Sequence, residues 1–306
     1  MGSLAVKLAG LKLDNPTILA SGIMGSDFHS IKKIAESGAG AVTIKSITKE
    51  PRGGHDNPTM VEVEGGFLNA IGYSNMGLEN AKYEFQSVKD LQVPAIASVV
   101  AEDSQGFAYL AKEMSSVGFS AVEAVLSCPH TPGLGLLAGH GTPEATAEIV
   151  SEIKKECPLP VIVKLSPNSL NLGDIANAAL EGGADAVNMG NSLGPGMVID
   201  TVCAKPVLSY KVGGMSGKAI KAIAVRCVYD IFEATQGKIP IIGTGGVVSG
   251  QDAIEMLMAG ASAVGVGTGV YYRGFEVFRK ISEELDDYLT TQKLTSLSEL
   301  VGVAHG

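Results

Sequence analysis

Eight short apolar runs, each closing on small or polar residues and separated by longer stretches, constrain this chain more than any other feature. They read TILAS (17–21), AVTIK (41–45), AIASV (95–99), AVEAVLS (121–127), VIVKL (161–165), AVNMG (186–190), IPIIG (239–243) and AVGVG (263–267). Helical spacing marks most of the intervals, over 27–37, 104–117, 143–156, 172–181, 216–235, 250–259 and 274–291. In SQGFAYLAKEMSSVG, Phe107, Leu110, Ala111 and Met114 share one helical face and Gly118 follows as the expected C-cap. Strand–helix alternation is the pattern of a parallel sheet, and eight repeats predict an α/β fold closed as a (β/α)8 TIM barrel. The connections 46–93 and 193–215 are too long for turns, so they are expected to carry extra hairpins over the barrel mouth. No repeat of 20–50 residues, low-complexity segment or linker interrupts the chain, which reads as one domain over 1–306.

Composition narrows the partners. A formal net charge of -9 supplies no basic field, so nucleic acid is not an expected partner. No stretch approaches a membrane span and the N-terminus lacks a signal-peptide layout, so the expected location is the cytoplasm, with no membrane contact. The cysteines at 128, 157, 203 and 227 form no C-x-x-C, which points away from a disulfide framework or a metal site in this chain.

In a barrel of this kind, reactive groups sit where strands finish. Polar residues gather there: Ser21, Lys45 and Ser46, Ser98, Ser127 and Cys128, Lys164, Asn191 and Ser192. The runs GTGG (243–246) and GVGTG (265–269) end the last two strands, and GGMSG (213–217) precedes a helix. Any one glycine cluster could be a tight turn. Three in these places point to backbone N–H groups cradling a phosphate. Lys45 and Lys164 end apolar runs and have no carboxylate nearby in sequence, which suits an anionic substrate or a cofactor that gains negative charge. Asn69, in GFLNAIGYSNMG, could present a donor and an acceptor to a planar ligand or simply form a turn. Cys128 stands at a strand end before Pro129, whereas Cys157 and Cys227 sit in or beside helices and read as packing. The glycines of HTPGLGLLAGHG would let a lid move; within that segment His130 and His140 lack a third metal ligand, and His130 reads better as a polar contact to substrate.

Taken in order, TIKSITKEPRGG, NPTM, FLNAIGYSNMG, SCPH, VKLSPN, GGMSG, PIIGTGGV and GASAVGVGT make the chain resemble a class 1 dihydroorotate dehydrogenase over almost its whole length. The NAIG and KEPR forms resemble the NAD-linked subgroup, whose catalytic FMN subunit works with a subunit carrying FAD and a 2Fe-2S cluster. Carried across residue by residue, the resemblance implies FMN contacts at Ser21, Lys45, Ser46, Ser98, Lys164, Gly190, Gly217, Gly245, Gly246, Gly267 and Thr268. It implies substrate contacts at Lys45, Asn69, Ala70, Ile71, Gly72, Tyr73, Asn191 and Ser192, with Cys128 as general base. The expected reaction is FMN-dependent oxidation of dihydroorotate to orotate in pyrimidine biosynthesis, in a homodimer or heterotetramer.

Three positions depart from the family pattern: Val125 and His130 stand where it carries asparagines, and Ser98 where one is common near the flavin. Losing an amide leaves polar groups of a bound pyrimidine without partners, at about 1–3 kcal/mol each. A second reading therefore keeps FMN and the barrel but takes another dihydropyrimidine or cyclic amide. A third is a phosphate-binding lyase or isomerase without flavin, because the fold does not set the function. In a fourth, a flavin carrier without catalysis, Cys128, Lys45 and Lys164 would have no task.

Overall fold

The computed structural model describes residues 2–127 and 140–306. Each of the eight apolar runs supplies one parallel strand of a closed barrel. The strands are β1 (Thr17–Leu19), β2 (Ala41–Thr43), β3 (Ala95–Val99), β4 (Ala121–Val125), β5 (Val161–Leu165), β6 (Ala186–Met189), β7 (Ile241–Thr244) and β8 (Ala263–Val266). Their order around the barrel is their order in the chain, with β8 pairing back onto β1.

Outside the strands lie α1 (Phe28–Glu36), α2 (Leu78–Glu84), α3 (Ser104–Val117), α4 (Pro143–Glu156), α5 (Leu172–Glu181), α6 (Lys221–Thr235), α7 (Gly250–Met258), α8 (Gly269–Arg273) and α9 (Val277–Gln292). Local chemistry sets their ends. Asp27 and Asp103 accept the Ser30 and Gly106 N–H groups, and Thr142 caps α4 with Pro143 in its first turn. Gly118 ends α3 in the left-handed conformation at φ 116°. Helices α2 and α8 fall outside the expected spans, and residues 216–220 are not α-helical. There a strand (Gly213–Ser216) ends and the chain turns at Gly217, whose φ of 103° only glycine adopts without strain.

The base of the barrel is packed by alternation. Odd strands contribute Ile18, Ile96, Ile162 and Ile242, while even strands contribute Ala41, Ala121, Ala186 and Ala263, all buried in one cluster. Large and small side chains from alternate strands fill the interior in layers. An antiparallel hairpin (Val6–Leu8 with Leu11–Leu13) adds Leu8 and Leu13 to the same cluster and closes this end.

At the opposite end the two long connections meet. Strands Leu193–Gly196, Gly213–Ser216, Gly66–Asn69 and Met60–Val63 form one four-stranded antiparallel sheet, so the expected hairpins are joined rather than separate. No helix among the described residues is long and apolar enough to cross a membrane.

Candidate active site

Two residues along strands β2 to β7 from the isoleucine and alanine layer, the interior turns polar: Thr43, Ser98, Glu123, Lys164, Asn188 and Thr244. Period two of a strand returns these side chains to the same face, so a packed base passes directly into a polar floor. Register aligns the members, with Ser98 opposite Glu123 and Lys164 opposite Asn188. Contacts between strands that are not neighbours show that the groups point inward. Glu123 Oε2 accepts from Asn188 Nδ2 at 2.6 Å, and Oε1 accepts from Ser21 Oγ at 2.8 Å and Ser98 Oγ at 2.9 Å. Lys164 Nζ donates to Ser21 Oγ at 2.7 Å and lies 3.8 Å from Glu123 Oε1. Thr244 Oγ1 donates to Asn188 Oδ1 at 2.8 Å, and the Ser46 and Ser98 hydroxyls are 2.8 Å apart.

Lys164 therefore has the carboxylate that its neighbours in the sequence do not offer. It comes from β4, the adjacent strand, and both side chains are almost wholly buried. A buried carboxylate needs such partners, because desolvation without them costs far more than a neutral polar group does. Glu123, which joins this network, is not among the residues singled out from the sequence. Its signal in the sequence is a lone charge inside the apolar AVEAV.

Above this floor opens a cleft of two connected chambers. Ser21, Gly22, Asn69, Ile71, Lys164, Asn191 and Ser192 line both. The first chamber adds Gly190, Gly217, Gly245, Gly246, Gly267 and Thr268. Its glycines are needed for close approach. A Cβ on Gly217 would stand 2.6 Å from the Gly66 backbone, and one on Gly246 would be 2.7 Å from Lys221 Cβ. At Gly267 the nearest atom to a Cβ would be Ala20 Cβ at 3.9 Å, so a side chain there would enter the chamber. Loops after β7 and β8 with these properties suit a phosphate-bearing planar cofactor such as FMN.

The second chamber adds Lys45, Ser46, Ala70, Gly72, Tyr73, Val125 and His55, the last unforeseen. His55 stacks on Tyr210 with centroids 4.1 Å apart, and its Nδ1 is 3.1 Å from the Ala70 carbonyl. Asn69 ends the strand Gly66–Asn69 and donates from Nδ2 to the Gly214 carbonyl at 3.2 Å, so half of its amide is committed to the mouth sheet. Ser98 lies elsewhere: it is fully buried in the polar floor and lines neither chamber.

Burial alone pushes the Lys45 ammonium below the usual lysine value. Because the unfolded chain keeps its proton to higher pH, this group costs stability at neutral pH, and the cost is relieved as pH rises from the depressed value toward 10.5. We expect Lys45→Met to raise the midpoint of urea unfolding at pH 7 and to narrow its gain over the wild type at alkaline pH. An unchanged midpoint at pH 7 would count against a buried charge here.

Asn191 Nδ2 donates to Ser127 Oγ at 2.7 Å and to the Ser127 carbonyl at 3.1 Å, holding the chain where it leaves β4. Cys128 and His130 lie outside the described residues. His140 is buried, with Nε2 2.9 Å from the Glu102 carbonyl and its ring edge-on to Phe107, a packing role. Cys157 and Cys227 are buried, and burial pushes both thiols up.

The family model for dihydroorotate dehydrogenase matches residues 3–289. A relative from Methanocaldococcus jannaschii, named dihydroorotate dehydrogenase B (NAD(+)), catalytic subunit, is 44% identical over 99% of this chain and 98% of its own. One of the same name from Methanothermobacter thermautotrophicus is 46% identical over the same shares. Among solved structures, an Eimeria tenella DHODH in complex with ferulenol superposes with a TM-score of 0.86, covering 99% of this chain and 89% of that one. At 23% identity that likeness speaks for the fold alone. The chain belongs to the dihydroorotate dehydrogenase family, as an oxidoreductase of its class 1 branch.

Proposed function

We propose that this chain oxidises dihydroorotate to orotate in pyrimidine biosynthesis, in the cytoplasm, with FMN in the glycine-lined chamber and substrate in the lysine-lined one. The observation that carries the reading is the joining of the two chambers along Ser21, Lys164 and Asn191, which lets a cofactor and a substrate lie against each other. FMN held there would supply a two-electron acceptor for the hydride of carbon 6, on which negative charge would develop. Cys128 removes the proton from carbon 5, so orotate forms by loss of one hydride and one proton. Lys164, steadied by Ser21, presents its ammonium to the charge that develops, and Lys45 offers a second ammonium to substrate and flavin. Asn69 to Tyr73, Asn191 and Ser192 hold the substrate ring, with His130 as a further polar contact.

The relatives named as NAD(+) catalytic subunits support an electron-transfer partner. That subunit would carry FAD and a 2Fe-2S cluster and pass the electrons to NAD, in a heterotetramer built on a dimer of this chain. Anaerobic stopped-flow mixing of FMN-loaded protein with dihydroorotate tests the reading. Rapid bleaching of the flavin is expected, and its absence would sink the assignment. Failure to take up FMN stoichiometrically would favour a flavin-free lyase instead.

A second substrate class is favoured by Val125, which is 2% exposed and lines the substrate chamber where the family pattern carries an amide. Restoring the amide with Val125→Asn tests it. If dihydroorotate is the substrate and water or His55 replaces the lost contact, the change should alter orotate affinity by less than tenfold. A gain of tenfold or more, about 1.4 kcal/mol, together with faster bleaching by another dihydropyrimidine in the wild type, would move the assignment to that compound.

A further inference from the structure

Glu123 is a buried ionisable group that the proposed chemistry leaves unused. It is 1% exposed and lines neither chamber, so it touches neither flavin nor substrate. Its contacts nevertheless reach both. An ionised carboxylate only accepts hydrogen bonds, so the hydrogens of Ser21, Ser98 and Asn188 must all point at it. With its hydrogen given to Glu123, Ser21 Oγ has only a lone pair to offer, and Lys164 Nζ takes it at 2.7 Å. Likewise Ser98 can only accept from Ser46, which lines the substrate chamber. One carboxylate thus orders the hydroxyls at the cleft floor and aims the lysine.

The same carboxylate stands 3.8 Å behind the Lys164 ammonium. A cation that meets negative charge in front is partly offset by an anion at its back, and low local polarity keeps that offset strong. We infer that Glu123 is a positioning residue that sets the reduction potential of the bound flavin, by fixing Lys164 through Ser21 and holding back part of its charge. The inference rests on the flavin reading above.

Glu123→Gln tests it with little change in shape. The new amide can donate to Asn188 once the Asn188 amide turns over, with Thr244 then accepting from Asn188, so every polar group keeps a partner. The midpoint potential of bound FMN, measured by equilibration with a reference dye, should rise. We expect reduced FMN to gain at least about tenfold over oxidised FMN in relative affinity, which is about 30 mV for a two-electron couple. A strut without an electrostatic role would weaken folding or FMN binding and leave the potential in place. A potential that is unchanged or lower in FMN-loaded Glu123→Gln therefore overturns the inference.

A second pair keeps the test decisive if that variant does not fold. Lys164→Met should lower the potential, and adding Glu123→Gln to it should bring the potential back toward the wild-type value. A double variant as low as Lys164→Met alone also overturns the inference. Wild-type protein that binds no FMN would instead defeat the flavin reading itself, whereas an FMN-loaded wild type with unshifted variants defeats only the role of Glu123.

Discussion

Replacing Lys164 with methionine is expected to cost the fold about 3 kcal/mol, the low end of what breaking a buried ion pair costs. Methionine fills much of the same space, so little of the loss comes from a cavity. The loss comes from Glu123, which stays in the floor of the barrel with its nearby cation gone and only the Ser21, Ser98 and Asn188 donors to hold it. Those three bonds keep the cost from the upper end of the range. Ser21 also loses the donor that its lone pair received. Adding Glu123→Gln should then recover most of the stability, because no buried charge remains. Urea unfolding of the four proteins of this cycle measures the coupling, which should exceed 1 kcal/mol for side chains in one network. Additive effects would show that Lys164 and Glu123 are held independently. Catalysis should not recover with the fold: flavin bleaching by dihydroorotate should stay slow in the double variant, since its ammonium is still missing.

That cycle turns on a residue the linear sequence hides, and the reason is physical. Strands were legible because β-branched and small residues fill a surface covered on both faces, which leaves short uninterrupted apolar runs. Glycine clusters after β7 and β8 were legible because phosphate loops recur at those places in this fold. Pairing across the barrel was not, since Glu123 and Lys164 are neighbours only once β4 and β5 are in register, with Val125 opposite Lys164. His55 was missed for a similar reason. It reaches the second chamber from an insertion whose path depends on the mouth sheet and on stacking against Tyr210, far away in the chain. Helix α2 lies in the same insertion, and at seven residues it is too short to show a helical period. The hairpin at the base escaped notice because its three-residue strands, VKL and LKL, each carry a central lysine and so show no apolar run.

Cys128→Ala is expected to leave FMN bound and to slow flavin reduction by dihydroorotate about 100-fold or more, the scale of general base catalysis. Ser127 is the last described residue before it, buried and clamped by Asn191, which lines both chambers; the chain therefore enters the segment carrying Cys128 from a fixed point at the cleft. Competing thiols do not confuse the result. Cys157 donates to the Ala111 carbonyl and is buried, Cys227 is buried in α6, and burial disfavours the thiolate in both. Cys203 is exposed, and Cys203→Ala should leave the rate unchanged. An ordinary thiol titrates near 8.5, so raising the pH should speed the wild-type half-reaction until the thiolate dominates. The alanine variant should lose that rise. A variant that keeps both the rate and its pH dependence would move proton removal to another titratable group in the substrate chamber. His55, Tyr73 and Lys45 line that chamber, and Lys45, whose ammonium burial pushes below the usual lysine value, becomes able to take a proton as the pH rises.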